Sequence, residues 1–257
     1  MPASHTTRPR ARLPLPFVVL YDTQTAGWLT PIRQTIFMRT EREHRQEIVY
    51  FGKQLYDRCF VAATDGNISV RLGLDRILCT PTGMSKGMMR EDDLVVVTSG
   101  GVKLSGHREA SSEIAMHLLI YRMRPDVHAI VHAHPPTATG YAAAGMALDK
   151  ALVSEIVLSL GSVPLACYAT PGTPALCDAL EPYVASHNAI LMANHGVVAY
   201  ADELHKAYMN MDTVEHFAKI ALVTHVLGRQ QVLSPEDVEK LMEARQKYHV
   251  VSTTNRD

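Results

Sequence analysis

Apolar positions along this chain follow two rhythms, one of three to four residues and one of two. Over residues 39–59, Ile48, Phe51, Leu55 and Tyr56 fall at three- and four-residue steps, which predicts an amphipathic helix. Short β-type segments follow at 68–72, 76–79, 94–98 and 102–104, and Ser99-Gly100-Gly101 marks a hairpin turn between the last two. Ser111-Ser112-Glu113 opens a helix to about Met123, and Pro125 closes it. Residues 129–133 read as a strand, and 138–146 as a small helix ended by Gly145. Two more strands, 189–193 and 197–200, flank a turn at His195. A long helix over 204–227 stops at Gly228, and a last one runs to about Tyr248 with Ser234 as N-cap and Pro235 at its first position. The pattern predicts one α/β domain of α+β-like, three-layer build: a central, mainly antiparallel sheet flanked by helices.

Composition narrows the class without choosing within it. A net charge of −1 gives no basic excess to attract nucleic acid, and no apolar run approaches a membrane span. The length, 257 residues, suits one well-buried domain and is short for two. The cysteines (Cys59, Cys79, Cys167, Cys177) form no Cys-x-x-Cys pair and read as reduced thiols of a cytoplasmic protein. Residues 1–37 differ from the remainder: they carry Arg8, Arg10, Arg12 and several prolines, with no acid before Asp22. They read as a loosely attached N-terminal extension, or as sequence upstream of a natural start at Met38, rather than as a transit or signal segment. The functional domain is then 38–257.

The chemistry is concentrated in a few short stretches. His132 and His134 stand two apart in the apolar run from Ala129, so in a strand both rings leave the same face. His195, in Asn194-His195-Gly196, is a candidate third arm. Three neutral imidazoles around an open position suit a catalytic zinc site, although imidazole also suits copper, iron or nickel. The alternative is a pair of histidines hydrogen-bonded to backbone at a strand end. Glu113 begins a helix directly after two serines; unpaired N–H groups and hydroxyls there make an anion cradle or simply a capped helix. The turns Thr64-Asp65-Gly66-Asn67 and Thr80-Pro81-Thr82-Gly83 are rich in amide and hydroxyl donors and can wrap an anion or serve as plain turns.

Taken in order, Asp65-Gly66-Asn67-Ile68-Ser69, Thr80-Pro81-Thr82-Gly83, Ser111-Ser112-Glu113, His132-Ala133-His134-Pro135 and Asn194-His195-Gly196 resemble the successive motifs of the class II aldolase/adducin family, over roughly residues 40–250. The fuculose-phosphate aldolase-like enzymes are the members it suggests. The resemblance implies that family's fold, and His132, His134 and His195 as ligands of one Zn2+ per subunit. It implies Glu113 as catalytic acid/base, and Thr64, Asn67, Thr82, Gly83, Ser111 and Ser112 as holders of a substrate phosphate. It further implies a homotetramer with active sites at subunit boundaries, where Tyr248 would contribute a second proton-transfer group. In one departure, Glu155 stands where the fuculose-phosphate enzymes carry a tyrosine from a neighbouring subunit, which argues against fuculose phosphate as substrate.

The expected reaction is reversible cleavage of a ketose 1-phosphate between C3 and C4, giving dihydroxyacetone phosphate and an aldehyde; deoxy and methylthio pentuloses are included. The expected partner is this small sugar phosphate, with neither nucleic acid nor membrane. Rival readings on the same fold are a pentulose 5-phosphate 4-epimerase, a methylthioribulose-phosphate dehydratase, and an adducin-like interaction module without enzymatic activity. Glu113, where the epimerases tend to have Asp, favours the aldolase. Retention of all three histidines counts against the interaction module.

Overall fold

The computed structural model describes residues 39–254, and side chains as far as residue 244. The extension assigned to 1–37 lies outside the described residues.

Helix α1 (Glu41–Asp57) starts at a reciprocal cap: the Glu43 amide donates to Thr40 Oγ1 and the Thr40 amide donates to the Glu43 carboxylate. Its buried stripe includes Ile48, Phe51 and Leu55, as the periodicity predicts, whereas Tyr56, the fourth residue of that pattern, is exposed. The strands are β1 (Asn67–Gly73), β2 (Arg76–Cys79), β3 (Val95–Val97), β4 (Lys103–Ser105), β5 (Ala129–Ala133), β6 (Leu165–Ala166), β7 (Ala189–Met192) and β8 (Gly196–Ala201). Among the described residues they form one sheet in the order β4-β3-β2-β1-β5-β8-β7-β6. Every neighbouring pair is antiparallel except β6 with β7.

Both faces of the sheet are covered, so the strands are apolar on alternate residues toward two different cores. On one face Ile68, Val70, Val131, Ala133, Val197 and Ala199 pack under α1, α3 (Pro136–Ala143) and α6 (Leu204–Val226). On the other, Ile77, Val95, Ile130, Ile190 and Val198 pack under α2 (Ile114–Met123) and α5 (Pro174–Val184). This is the three-layer arrangement that the pattern predicts. The remaining helices are α4 (Ser154–Ser159) and α7 (Pro235–Thr254), the latter running past the expected end near Tyr248. None of the described helices is long and apolar enough to cross a membrane.

The elements between 147 and 188 have no counterpart in the periodicity reading. β6 is two residues long and α4 six, too short for a period to show. α5 does carry a signal: Thr173-Pro174 at its start and Leu176, Leu180 and Val184 at four-residue steps, all buried.

Candidate active site

The site forms where the C-terminal end of β5 meets the start of α2. Ile130 faces the α2–α5 core, so by two-residue alternation His132 and His134 point the same way. β1 runs alongside with Asn67 opposite His132 and Ser69 opposite Ile130, which sets Asn67 and Ser69 on that face too. His195 arrives from the turn between β7 and β8, where Asn194 takes a left-handed backbone (φ +54°) that asparagine tolerates. The turn folds this tightly because Gly196 has no side chain: a Cβ there would come within 2.7 Å of the Ala133 carbonyl oxygen.

One ring nitrogen from each of His132, His134 and His195 lies within 4.8 Å of the others. His132 is fully buried, His195 nearly so, and His134 retains 27% of its side-chain exposure, so the cluster opens toward solvent on the His134 side. His132 Nδ1 donates to the Val197 carbonyl at 2.9 Å; a carbonyl only accepts, so Nδ1 carries a hydrogen and Nε2 is the nitrogen that faces the cluster. Asp65 stands 3.5 Å from His134 Nδ1 on the outer side.

Glu113 closes the remaining side. Its Oε2 lies 3.3 Å from His132 Nε2 and its Oε1 3.1 Å from His195 Nε2. Oε1 is buried yet makes no hydrogen bond, despite that short approach. Burial by itself raises the pKa of this carboxyl, but the two imidazoles more than offset that and hold it ionised, well below the usual carboxylate range. Three clustered imidazoles, with a buried carboxylate oxygen that lacks a donor beside them, suit a divalent cation, and the residues fit one.

Three loops meet beside this cluster. The buried Lys86 ammonium donates to the carbonyls of Thr64 (3.0 Å) and Met84, tying the first loop to the second. A bridge between Pro81 and Ala110 joins the second to the third, with the Thr82 amide donating to Glu109. Thr64, Thr82, Gly83 and Ser112 are exposed on these loops, while Ser111 is buried and accepts the Glu113 amide. Asn67 is placed differently. It is 4% exposed, and both ends of its amide are engaged, Nδ2 with Glu113 and Oδ1 with His117. His117 is absent from the residues picked out by spacing. It lies four positions after Glu113, on the same face of a helix, and that spacing was the available signal.

Glu155 is exposed in the first turn of α4 and lines a cavity of about 410 Å³ with Asp212 and His216; none of the three clustered histidines lines it. Tyr248 belongs to α7, and its side chain lies outside the described residues.

Comparison with known proteins places these features in a family. The model of the Class II Aldolase and Adducin N-terminal domain matches residues 46–222, which contain every element of the site except Tyr248. A 5-deoxy-D-ribulose 1-phosphate aldolase of Bacillus thuringiensis serovar kurstaki is 33% identical over 204 residues, 78% of this chain and 94% of the relative. A 3-oxo-tetronate 4-phosphate decarboxylase of Escherichia coli is 31% identical over 192 residues, 73% of this chain and 90% of the relative. Among solved structures, an L-fuculose 1-phosphate aldolase superposes with a TM-score of 0.75 at 33% identity, covering 82% of this chain and 99% of its own.

Proposed function

The chain belongs to the class II aldolase and adducin family, and on that footing we propose that it is a zinc-dependent lyase that reversibly cleaves a ketose 1-phosphate into dihydroxyacetone phosphate and an aldehyde. One observation carries this reading: the Glu113 carboxylate faces a three-imidazole cluster beside donor-rich loops that suit a phosphate. A divalent cation held by His132, His134 and His195 would supply Lewis acidity for the charge that develops on the substrate oxygens. Zinc is the metal that this ligand set suits best.

The chain's own groups account for the rest. Thr64, Thr82, Gly83, Ser111 and Ser112, together with the second amide proton of Asn67, hold the phosphate and fix where the carbonyl lies. Loss of the C4 hydroxyl proton lets the C3–C4 bond break; the aldehyde leaves and an enediolate remains. Glu113 carries a proton to or from the enediolate carbon, C3. Tyr248 exchanges the proton at the aldehyde oxygen. The functional domain is 38–257, working as a homotetramer with sites at subunit boundaries, in the cytoplasm, where the free state of all four cysteines fits.

The 5-deoxy-D-ribulose 1-phosphate relative and the exposed Glu155 together favour a deoxypentulose 1-phosphate over fuculose phosphate. The decarboxylase relatives support a second reading. A 3-oxo-tetronate 4-phosphate that loses CO2 from C1 leaves an enediolate over C2 and C3, and protonation at C2 gives dihydroxyacetone phosphate. The machinery at Glu113 serves either reaction; only the departing group differs.

The test is coupled detection of dihydroxyacetone phosphate from a panel of ketose 1-phosphates and from 3-oxo-tetronate 4-phosphate, with and without chelator. Chelator-sensitive cleavage of a ketose 1-phosphate is expected. Release of CO2 from the oxo acid alone would favour the second reading. Activity that survives full metal removal, or no turnover of any substrate, would reject both.

A further inference from the structure

His117 is 1% exposed on α2, and its ring belongs to no cluster of ligand nitrogens among the described residues. Its surroundings nonetheless leave its protons no freedom. Nε2 lies 2.6 Å from Asn67 Oδ1, an atom that only accepts, so Nε2 carries a hydrogen. Burial, with a smaller contribution from His132, pushes its pKa down to about 3, so the ring is neutral and Nδ1 has a lone pair. Ser69 Oγ, 2.7 Å away, therefore donates to Nδ1. Ser69 Oγ, its own hydrogen engaged there, accepts from Tyr121 Oη at 2.9 Å, the nearer of that phenol's two acceptors; the His128 carbonyl is 3.5 Å away. At the other end, Asn67 Nδ2 donates to Glu113 Oε2 at 2.9 Å.

All four donors thus point one way, from Tyr121 through Ser69, His117 and Asn67 to Glu113. The consequence falls on Asn67. Its amide could be turned either way with almost no change in shape, and the wrong way would aim Oδ1 at a carboxylate. The N–H of His117 rewards the productive orientation from the other end of the amide, because a flip would also set two donors face to face. Buried networks satisfied at every member fix geometry in this manner.

We propose that His117 is a positioning residue of the reaction: acting through Asn67, it holds the Glu113 carboxylate in the orientation from which the proton at the enediolate carbon is moved. It touches neither substrate nor metal. This inference rests on the role assigned to Glu113 under the proposed function.

The test contrasts His117→Gln, whose amide N–H reaches the place of Nε2, with His117→Asn, whose amide reaches only the place of Nδ1. Both are polar and no larger than histidine. We expect His117→Gln to keep kcat within about threefold, and His117→Asn to lose about 10- to 100-fold in kcat. KM and metal content should stay close to wild type in both. In the 15N spectrum of the metal-free protein, the His117 ring should be the neutral Nε2–H tautomer at pH 7. Equal kcat for the two variants, loss of metal along with activity, or an Nδ1–H tautomer would overturn the positioning role while leaving the proposed function standing. No turnover by the wild type with any substrate would overturn both.

Discussion

Gly196 sits against His134 so closely that a Cβ on the glycine would lie 2.5 Å from Cδ2 of the ring. The first residue of β8 thus sets the position of a side chain at the end of β5. Gly196→Ala should displace the ring and lower metal affinity at least 10-fold. Overpacking of this kind should also cost about 1–3 kcal/mol of stability. Metal titration and urea unfolding check the two effects separately, and unchanged affinity would show that the ring has room to move.

His134→Ala removes the most exposed of the three imidazoles. It should abolish stoichiometric metal binding and turnover and leave the far-ultraviolet circular dichroism unchanged. Elemental analysis of the purified variant is the measurement. Normal turnover would remove His134 from the ligand set.

Glu113→Gln keeps the size of the side chain and an oxygen for Asn67 Nδ2, but it cannot take up a proton. Turnover should fall about 10²- to 10⁴-fold with metal still bound. Steady-state rates beside metal content decide this; a variant within a few-fold of wild type would exclude Glu113 as the acid/base.

Glu215 secures the segment that follows His134. It is buried on α6, and its carboxylate accepts the Thr137 amide at 3.0 Å and the Ala138 amide at 2.9 Å at the start of α3. Glu215→Ala leaves the buried Ala138 amide and the half-buried Thr137 amide unpaired and should destabilise the fold by about 1–3 kcal/mol. The midpoint of urea unfolding reports it. A shift equivalent to less than about 0.5 kcal/mol would mean that water or another group takes over the cap.

Stability should also depend on pH through His117. Its folded pKa, about 3, lies below the ordinary 6.5. Between those values the unfolded chain binds a proton that the folded chain refuses, so stability falls as pH drops below about 6.5. The slope from this group is at most about 1.4 kcal/mol per pH unit. Below the ordinary range of Glu113, the lowered pKa of that carboxyl adds a loss of the same sign. Urea unfolding of metal-free protein from pH 7.5 to 4.5 should show the slope, and His117→Gln should flatten it. An identical slope in the variant would assign it to other groups.

Local pattern made much of this legible in the sequence. Strand alternation alone sets His132 and His134 on one face, and the expected strand at 129–133 is the observed β5. Helix starts were readable where a cap or proline marks them, as at Ser234-Pro235. Resemblance of the ordered motifs joined segments that periodicity could not. What stayed hidden was either too short to show a period, as in α4 and β6, or looked like ordinary core, as His117 does on an apolar helix.

Spacing and alternation are short-range properties, and they determined which side chains share a face within one element. That His195 joins the pair on β5, and that Glu113 meets them from α2, depends on which strands are neighbours. The order β1-β5-β8 brings together residues more than sixty positions apart. Only tertiary packing could decide that Asn67 lies buried between His117 and Glu113 rather than open with Thr64 and Thr82. An amide's partners are set by what the fold leaves within 3 Å of it, and no local pattern encodes that distance.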